Sequence, residues 1–147
     1  FIRLERKVKR GIMTEKHTVR VTEEELPILC DPGRDLAVLS GRNAVMALEM
    51  RAKGLTPAVI VRYRRDAFVY PGTDPRLTFD TNVEALHPDF SLLFEGDHPG
   101  IPAMPRDQVI MEVKYGEYLP QFVRKISNCC SKQLSVSKYA ICREAWR

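Results

Sequence analysis

Residues 57–70, PAVIVRYRRDAFVY, are rich in β-branched and aromatic side chains, a composition that is typical of a β-strand. The segment PGTDP at 71–75 predicts a turn, because proline and glycine favour tight backbone reversals. The next segment, RLTFDT at 76–81, alternates polar and apolar residues and predicts a second strand. The two strands and the turn together predict an antiparallel hairpin.

The remaining periodicity predicts both strands and helices around this hairpin. Alternation predicts further strands at 1–9, 17–21 and 108–115. Caps and helical spacing predict helices at 22–29, 42–53, 120–127 and 135–146. Residues 86–107 are rich in proline and have no periodicity, which predicts a long ordered loop.

This pattern predicts an α+β fold of one domain over residues 1–147, with peripheral helices. The polar faces of the strands have two possible environments. They face solvent in an ordinary sheet, whereas in an antiparallel β-barrel they can point inward toward a bound ion. Because five strands share charged faces, the interior site is favoured. The chain opens within a strand at Phe1, so we expect the barrel to be incomplete at its N-terminus.

The positive charge is concentrated in strands, although the net charge of the 147 residues is only +4. RLERKVKR at 3–10 and VRYRR at 61–65 indicate a polyanionic partner, which is nucleic acid, a membrane surface or a phosphate-rich molecule. No apolar run is long enough to predict a transmembrane helix. The four cysteines lack CxxC spacing, and the neighbours Cys129 and Cys130 are expected to be reduced thiols, which favours a cytoplasmic location.

Two Glu-x-Lys pairs, Glu5/Lys7 and Glu112/Lys114, place an acid and a base on one strand face. Such pairs are usually solvent-exposed ion pairs of little consequence. A carboxylate among cations can also hold a divalent metal that bridges phosphate oxygens, and Glu112 lies in such surroundings. Asp80, which shares a face with Arg76, is predicted to pair with it.

Four motifs in order resemble the VTC domain, the polyphosphate polymerase domain of the triphosphate tunnel (CYTH-like) superfamily. They are LERKVKRG, YRRDAFVYPGTDPRLTFDTNV, MEVKYGEYLP and SVSKY. The resemblance implies a triphosphate-tunnel-like antiparallel β-barrel whose inward residues bind the phosphates of ATP and of inorganic polyphosphate. The family's first strands would precede Phe1.

The resemblance also implies roles for single residues. The tunnel cations that act in catalysis would be Lys7, Arg65, Arg76, Lys114 and Lys138. Further substrate contacts are implied or expected from Glu5, Arg20, Arg64 and Ser137, where Arg64 is the other candidate for the position given to Arg65. Glu112 resembles the metal ligand, and the expected ion is Mn²⁺ or Mg²⁺.

The activity implied by the resemblance is transfer of the γ-phosphoryl group of ATP to polyphosphate. Two alternatives stay open, a tunnel triphosphatase that uses water as the acceptor and a module that only binds polyphosphate or another polyanion. Nucleic acid is not the expected partner, because Tyr63 and Phe68 offer few stacking platforms among the basic strands.

Overall fold

The computed structural model describes residues 1–11, 13–71, 75–94, 98–129 and 132–147. Within these residues the strands are β1 (Ile2–Arg10), β2 (Met13–Val21), β3 (Ile60–Val69), β4 (Arg76–Leu86), β5 (Ile101–Pro102) and β6 (Ile110–Lys114). The helices are α1 (Leu26–Cys30), α2 (Gly41–Ala52), α3 (Gln121–Asn128) and α4 (Lys138–Ala145). Short 3-10 helices occur at Leu36–Val38 and Phe90–Leu93.

The chain divides into two compact units, and each is described by itself. The first contains residues 1–57 and 89–94, and the second contains residues 58–88 and 95–147. Whether they act as the single domain expected from the sequence stays a prediction.

The first unit is built on the β1–β2 hairpin. Its turn includes Gly11 with φ of +62°, a backbone conformation that costs glycine little and other residues more. The strands pair antiparallel from Ile2↔Val21 to Arg10↔Met13. One face of the hairpin packs Ile2, Leu4, Val19 and Val21 into the core of the unit. The opposite face, which carries Arg3, Glu5 and Lys7 of β1, is exposed to solvent.

Local sequence signals explain the helices of the first unit. The Thr22 N–H donates to Glu25 and the Glu25 N–H donates to the Thr22 hydroxyl, which is the reciprocal bonding of a capping box before α1. At the end of α2, Gly54 has φ of +62° and the Leu55 N–H donates to the Met50 carbonyl. This Schellman arrangement confirms the predicted helix end at Gly54.

The second unit is built on a four-stranded sheet in which β4 pairs with three other strands. β3 lies along one edge of β4, and β5 and β6 both pair with the other edge, all antiparallel. Helix α4 packs on β4, where Cys142 joins the buried Val83 and Ala85, and Trp146 covers them. One face of β4 is therefore covered by α4.

A β-bulge in β4 changes which residues share that face. Arg62 pairs with Glu84 and Arg64 pairs with Thr81, so two β4 residues, Asn82 and Val83, lie opposite Tyr63 alone. Asn82 takes up the extra residue with φ of +52°, which asparagine tolerates better than most residues. Buried positions shift phase across the bulge, from Thr78 and Asp80 to Val83 and Ala85.

The α+β class is confirmed, and each predicted strand and helix has a counterpart. The predicted bounds are wrong in three places, because β2 begins at Met13 rather than residue 17, α1 at Leu26 rather than residue 22 and α4 at Lys138 rather than residue 135. The described residues form two antiparallel sheets, of two and four strands, and no closed barrel is found among them. Strand β4 continues to Leu86, beyond the predicted end at residue 81, because the bulge interrupts the alternation there. The helices in the described ranges include none that is long and apolar enough to cross a membrane.

The structure corrects the predicted loop at 86–107, whereas part of the predicted turn at 71–75 lies outside the described residues. Residues 86–107 were expected to contain no strand, and this is wrong for Ile101–Pro102, which pair with β4 as β5. Periodicity cannot reveal a two-residue strand. Residues 72–74 of the predicted turn, residues 95–97 of the predicted loop and Cys130 lie outside the described residues.

Candidate functional site

A buried carboxylate lies on the face of β4 that carries Arg76 and Asp80, which we call the charged face of β4. The side chain of Asp80 has no exposed surface. Its Oδ1 accepts a hydrogen bond from Arg65 Nε at 2.6 Å, and its Oδ2 accepts one from Arg65 Nη2 at 2.7 Å. Lys138 Nζ lies 2.6 Å from the same Oδ2. Two cations therefore share one enclosed carboxylate.

Sheet register and helix docking explain why these three residues meet. Arg65 and Asp80 are cross-strand partners in β3 and β4, so their side chains emerge next to each other on the same face. Lys138 is the first residue of α4, and Ser137 caps that helix by accepting a hydrogen bond from the Ala140 N–H. The positive end of the helix dipole disfavours a cation there, and the charge of Asp80 offsets this cost.

The pKa values of the pair move in opposite directions. The hydrogen bonds from Arg65, followed by those from Lys138, hold the pKa of Asp80 below its ordinary value despite burial. The hydrogen bond to Asp80 in turn raises the pKa of Arg65. Both groups are therefore ionised at neutral pH.

A second, accessible carboxylate borders this pair on β6. Glu112 Oε1 lies 3.2 Å from Lys114 Nζ, and Glu112 Oε2 lies 3.7 Å from Arg65 Nη2. Its side chain is 40% exposed, whereas that of Asp80 is fully buried. Arg76 extends the charged face, because it is the cross-strand partner of Lys114. The contacts of Glu112 are thus open to exchange with a ligand.

The ring of Tyr63 lies beside both shared cations. Arg65 Cζ and Lys138 Nζ are each 5.2 Å from the ring centroid, within the range of cation–π attraction. The same ring packs against the core of the second unit. Tyr63 therefore has a packing role in the core as well as a position among the cations. We call the set Tyr63, Arg65, Asp80, Glu112, Lys114 and Lys138 the Asp80 cluster.

Arg64, the other candidate for the place of Arg65, lies on the opposite face of β3. It is the cross-strand partner of Thr81, its side chain is 74% exposed, and its Nε is 3.8 Å from Asp66. On the same side, Arg62 donates to Glu84 and to the His98 carbonyl. A cavity of about 470 Å³ lies there, and Arg64 and Arg106 line it together with Arg62, whose charge is neutralised by Glu84. Arg64 is therefore placed away from the face that carries Asp80.

The other predicted residues lie in the first unit, on the exposed face of the hairpin. Cross-strand pairs on this face are Arg3↔Arg20, Glu5↔Thr18 and Lys7↔Lys16. Glu5 pairs with Lys16 at 2.6 Å, and this contact lowers the pKa of Glu5. We call these six residues the basic face of the β1–β2 hairpin. It is a dense array of cations that contains one carboxylate.

A comparison with protein-family models supplies the family. The model of the VTC domain matches residues 1–147, which is the whole chain. The chain belongs to the VTC domain family. Comparison with curated proteins and with solved structures gave no significant match. The VTC domain is associated with polyphosphate polymerase, so a polyphosphate-related role is indicated.

Sequence reasoning missed three charged or aromatic contacts of this VTC domain. Asp80 was predicted to pair with Arg76, which is wrong, because it pairs with Arg65 and Lys138. The contact of Tyr63 with both cations was not anticipated, and neither was Lys16. The strand predicted at 17–21 begins at Met13, and its longer span places Lys16 opposite Lys7. No sequence signal links Asp80 to Lys138.

The described part of this VTC domain contains no group of three or more His, Cys, Asp or Glu side chains that could hold a metal ion. The accessible carboxylate of Glu112 nevertheless fits one kind of metal site. Magnesium is commonly bound by one or two carboxylates together with substrate phosphates and water. Asp80 is a poor second ligand because both of its oxygens already accept hydrogen bonds from cations.

Proposed function

We propose that this VTC domain transfers the γ-phosphoryl group of ATP to inorganic polyphosphate. The observation that carries the proposal is the Asp80 cluster, in which a buried carboxylate holds Arg65 and Lys138 on a charged sheet face. Arg65 uses two of its five N–H donors on Asp80, and Lys138 uses one of three. The remaining donors can bind phosphate oxygens.

The reaction requires little covalent chemistry from the protein. The terminal oxygen of polyphosphate attacks the γ-phosphorus, the bond to the bridging oxygen breaks, and ADP leaves. Catalysis then depends on holding the two phosphate chains in line and on neutralising the charge that they share. The cations Arg65, Arg76, Lys114 and Lys138 are proposed for this role, since they outnumber the two carboxylates beside them.

Glu112 is proposed to hold Mn²⁺ or Mg²⁺. The ion, when bound, neutralises phosphate charge and orients the oxygens that it contacts. Glu112 can take this role because its present partners, Lys114 and Arg65, are also the proposed phosphate ligands. An exchange of these contacts would free both the cations and the carboxylate.

The basic face of the β1–β2 hairpin is proposed to bind polyphosphate as well. Lys7, Lys16 and Arg20 lie on this exposed face. Cations at cross-strand spacing suit a chain in which every phosphoryl unit carries charge. This surface is proposed as a phosphate-binding surface of the first unit by itself.

The test is an assay of the purified protein with ATP, Mn²⁺ and a short polyphosphate primer. We expect ADP and longer polyphosphate chains, and we expect Glu112→Gln to lower the rate at least about a hundredfold, as is common when a group that stabilises transition-state charge is lost. Free phosphate without chain growth would instead indicate a triphosphatase. Absence of both products would contradict phosphoryl transfer.

Binding without catalysis is the second candidate. It is favoured by the single accessible carboxylate of the Asp80 cluster, which both Lys114 and Arg65 contact. A binding module would retain its affinity for polyphosphate in Glu112→Gln and would show no turnover in the wild type. Titration calorimetry with the primer, run beside the assay, separates the two functions.

A further inference from the structure

Asp80 is unusual because its charged side chain is fully buried. Among the described residues, the buried polar side chains are Thr78 and Asp80, and only Asp80 is charged. An enclosed carboxylate is costly unless its hydrogen bonds are satisfied. Here three donors from two residues satisfy it.

We propose that Asp80 is a positioning residue that fixes the donors of Arg65 and Lys138 toward a bound phosphate chain. This inference rests on the proposed function only in requiring that the cluster binds phosphates. Asp80 does not touch the ligand. Its buried carboxylate holds the guanidinium group of Arg65 and the ammonium group of Lys138 in place before the ligand binds. Binding therefore does not have to pay the entropy of ordering these two side chains.

A different role for Asp80 predicts the opposite change in phosphate affinity when the residue is substituted. If Asp80 only neutralises the two cations, its charge repels phosphate, and Asp80→Asn should strengthen binding. If Asp80 positions them, Asp80→Asn should weaken binding. The amide of asparagine offers one acceptor and one donor group, so its NH₂ would face a donor of Arg65 or Lys138 and displace it.

Glu84 provides a matched control on the same pair of strands. Its Oε2 accepts hydrogen bonds from Arg62 Nε at 3.0 Å and from Arg62 Nη2 at 2.7 Å. This pair lies on the opposite face of β3 and β4 from Asp80. Glu84→Gln therefore removes a carboxylate from an arginine pair of the same sheet without altering the Asp80 cluster.

The experiment is titration of the protein with inorganic triphosphate in EDTA, at low and at high salt, for wild type, Asp80→Asn and Glu84→Gln. We expect Asp80→Asn to bind at least about tenfold more weakly at both salt concentrations, the effect of losing about one charge-assisted hydrogen bond. Glu84→Gln should bind within about twofold of wild type. Equal or tighter binding by folded Asp80→Asn would overturn the positioning role.

Failure of the positioning role and failure of the proposed function give different results. If wild type binds no triphosphate, the proposed phosphate site is wrong. If wild type, Glu84→Gln and Asp80→Asn bind alike, the site stands and only the positioning role is wrong. An equal loss in Glu84→Gln and Asp80→Asn also overturns it, since a general effect on the sheet would then explain the result.

A measurement on the wild type covers the case in which Asp80→Asn does not fold. The Nε–H group of Arg65 donates to Asp80 at 2.6 Å, whereas the side chain of Arg64 is 74% exposed. Nuclear magnetic resonance should show slow hydrogen exchange for Arg65 Nε–H both before and after triphosphate is added, and fast exchange for Arg64. Equally fast exchange at both arginines would show that Arg65 is not held in advance.

Discussion

At the scale of single residues, Arg64 and Arg65 show how one step along a strand changes the surroundings of a side chain. Arg65 lies on the face of Asp80 and Tyr63, and Arg64 lies on the other face beside Asp66. The physical cause is the two-residue period of a strand. The two arginines therefore form a natural pair for mutation.

Arg65→Gln is expected to destabilise the protein and Arg64→Gln is not. Loss of Arg65 leaves the enclosed Asp80 with Lys138 as its remaining ion partner, which should lower the free energy of unfolding by about 2 kcal/mol. Arg64→Gln removes an exposed charge and should change that free energy by less than about 0.5 kcal/mol. Urea denaturation of the two variants measures both values. Equal losses would contradict the assignment of Arg65 to the buried pair.

At the scale of elements, the bulge in β4 decides which residues the charged face contains. Without an extra residue at Asn82, strict alternation would place Val83 and Ala85 on the face opposite Asp80. The bulge instead lines them up with Asp80, so α4 packs on Val83 and Ala85 while its first residue, Lys138, reaches the carboxylate. One inserted residue thereby places the apolar core residues and the Asp80 cluster on the same face of the sheet.

Substitutions at Asn82 test this role of the bulge. With φ of +52°, the position should reject a β-branched side chain and accept glycine. We expect Asn82→Val to lower the free energy of unfolding by about 1–2 kcal/mol, and Asn82→Gly to change it by less than about 0.5 kcal/mol. Chemical denaturation of both variants gives the comparison. A stable Asn82→Val protein would argue against a left-handed backbone at this position.

At the scale of the whole molecule, the net charge is only +4, although the described residues include two dense arrays of cations. One is the basic face of the β1–β2 hairpin, and the other is the charged face of β4 with the Asp80 cluster. Cations held close together repel one another, so a polyanion that binds them should stabilise the folded state.

Triphosphate is therefore expected to raise the melting temperature. At a concentration one hundred times the Kd, binding adds about 2.7 kcal/mol, which is about 5–10 °C for a chain of this length. The rise should shrink in 1 M NaCl, because salt screens exposed charges. Differential scanning fluorimetry, with sulfate at equal ionic strength as the control, measures the effect. An equal rise with sulfate would indicate a general salt effect rather than a site for phosphate chains.

Much of the secondary structure could be predicted because its causes are local. The capping box of Thr22 and Glu25, the helix end at Gly54 and the alternation in β3 depend on residues that are neighbours in the chain. The motifs around Arg65 and Glu112 likewise carry the family resemblance in their local order. Strand β4 was predicted too short, because its alternation changes phase at Asn82.

The sequence by itself determined the α+β class, the VTC motifs and the concentration of cations in strands. Only the tertiary structure decided which charges meet. Asp80 and Arg76 are four residues apart on one strand, or about 13 Å, whereas cross-strand neighbours are about 5 Å apart. Asp80 therefore pairs across the sheet with Arg65 and across a helix start with Lys138. Contact energy depends on distance in space, and alternation reports only the face on which a residue lies.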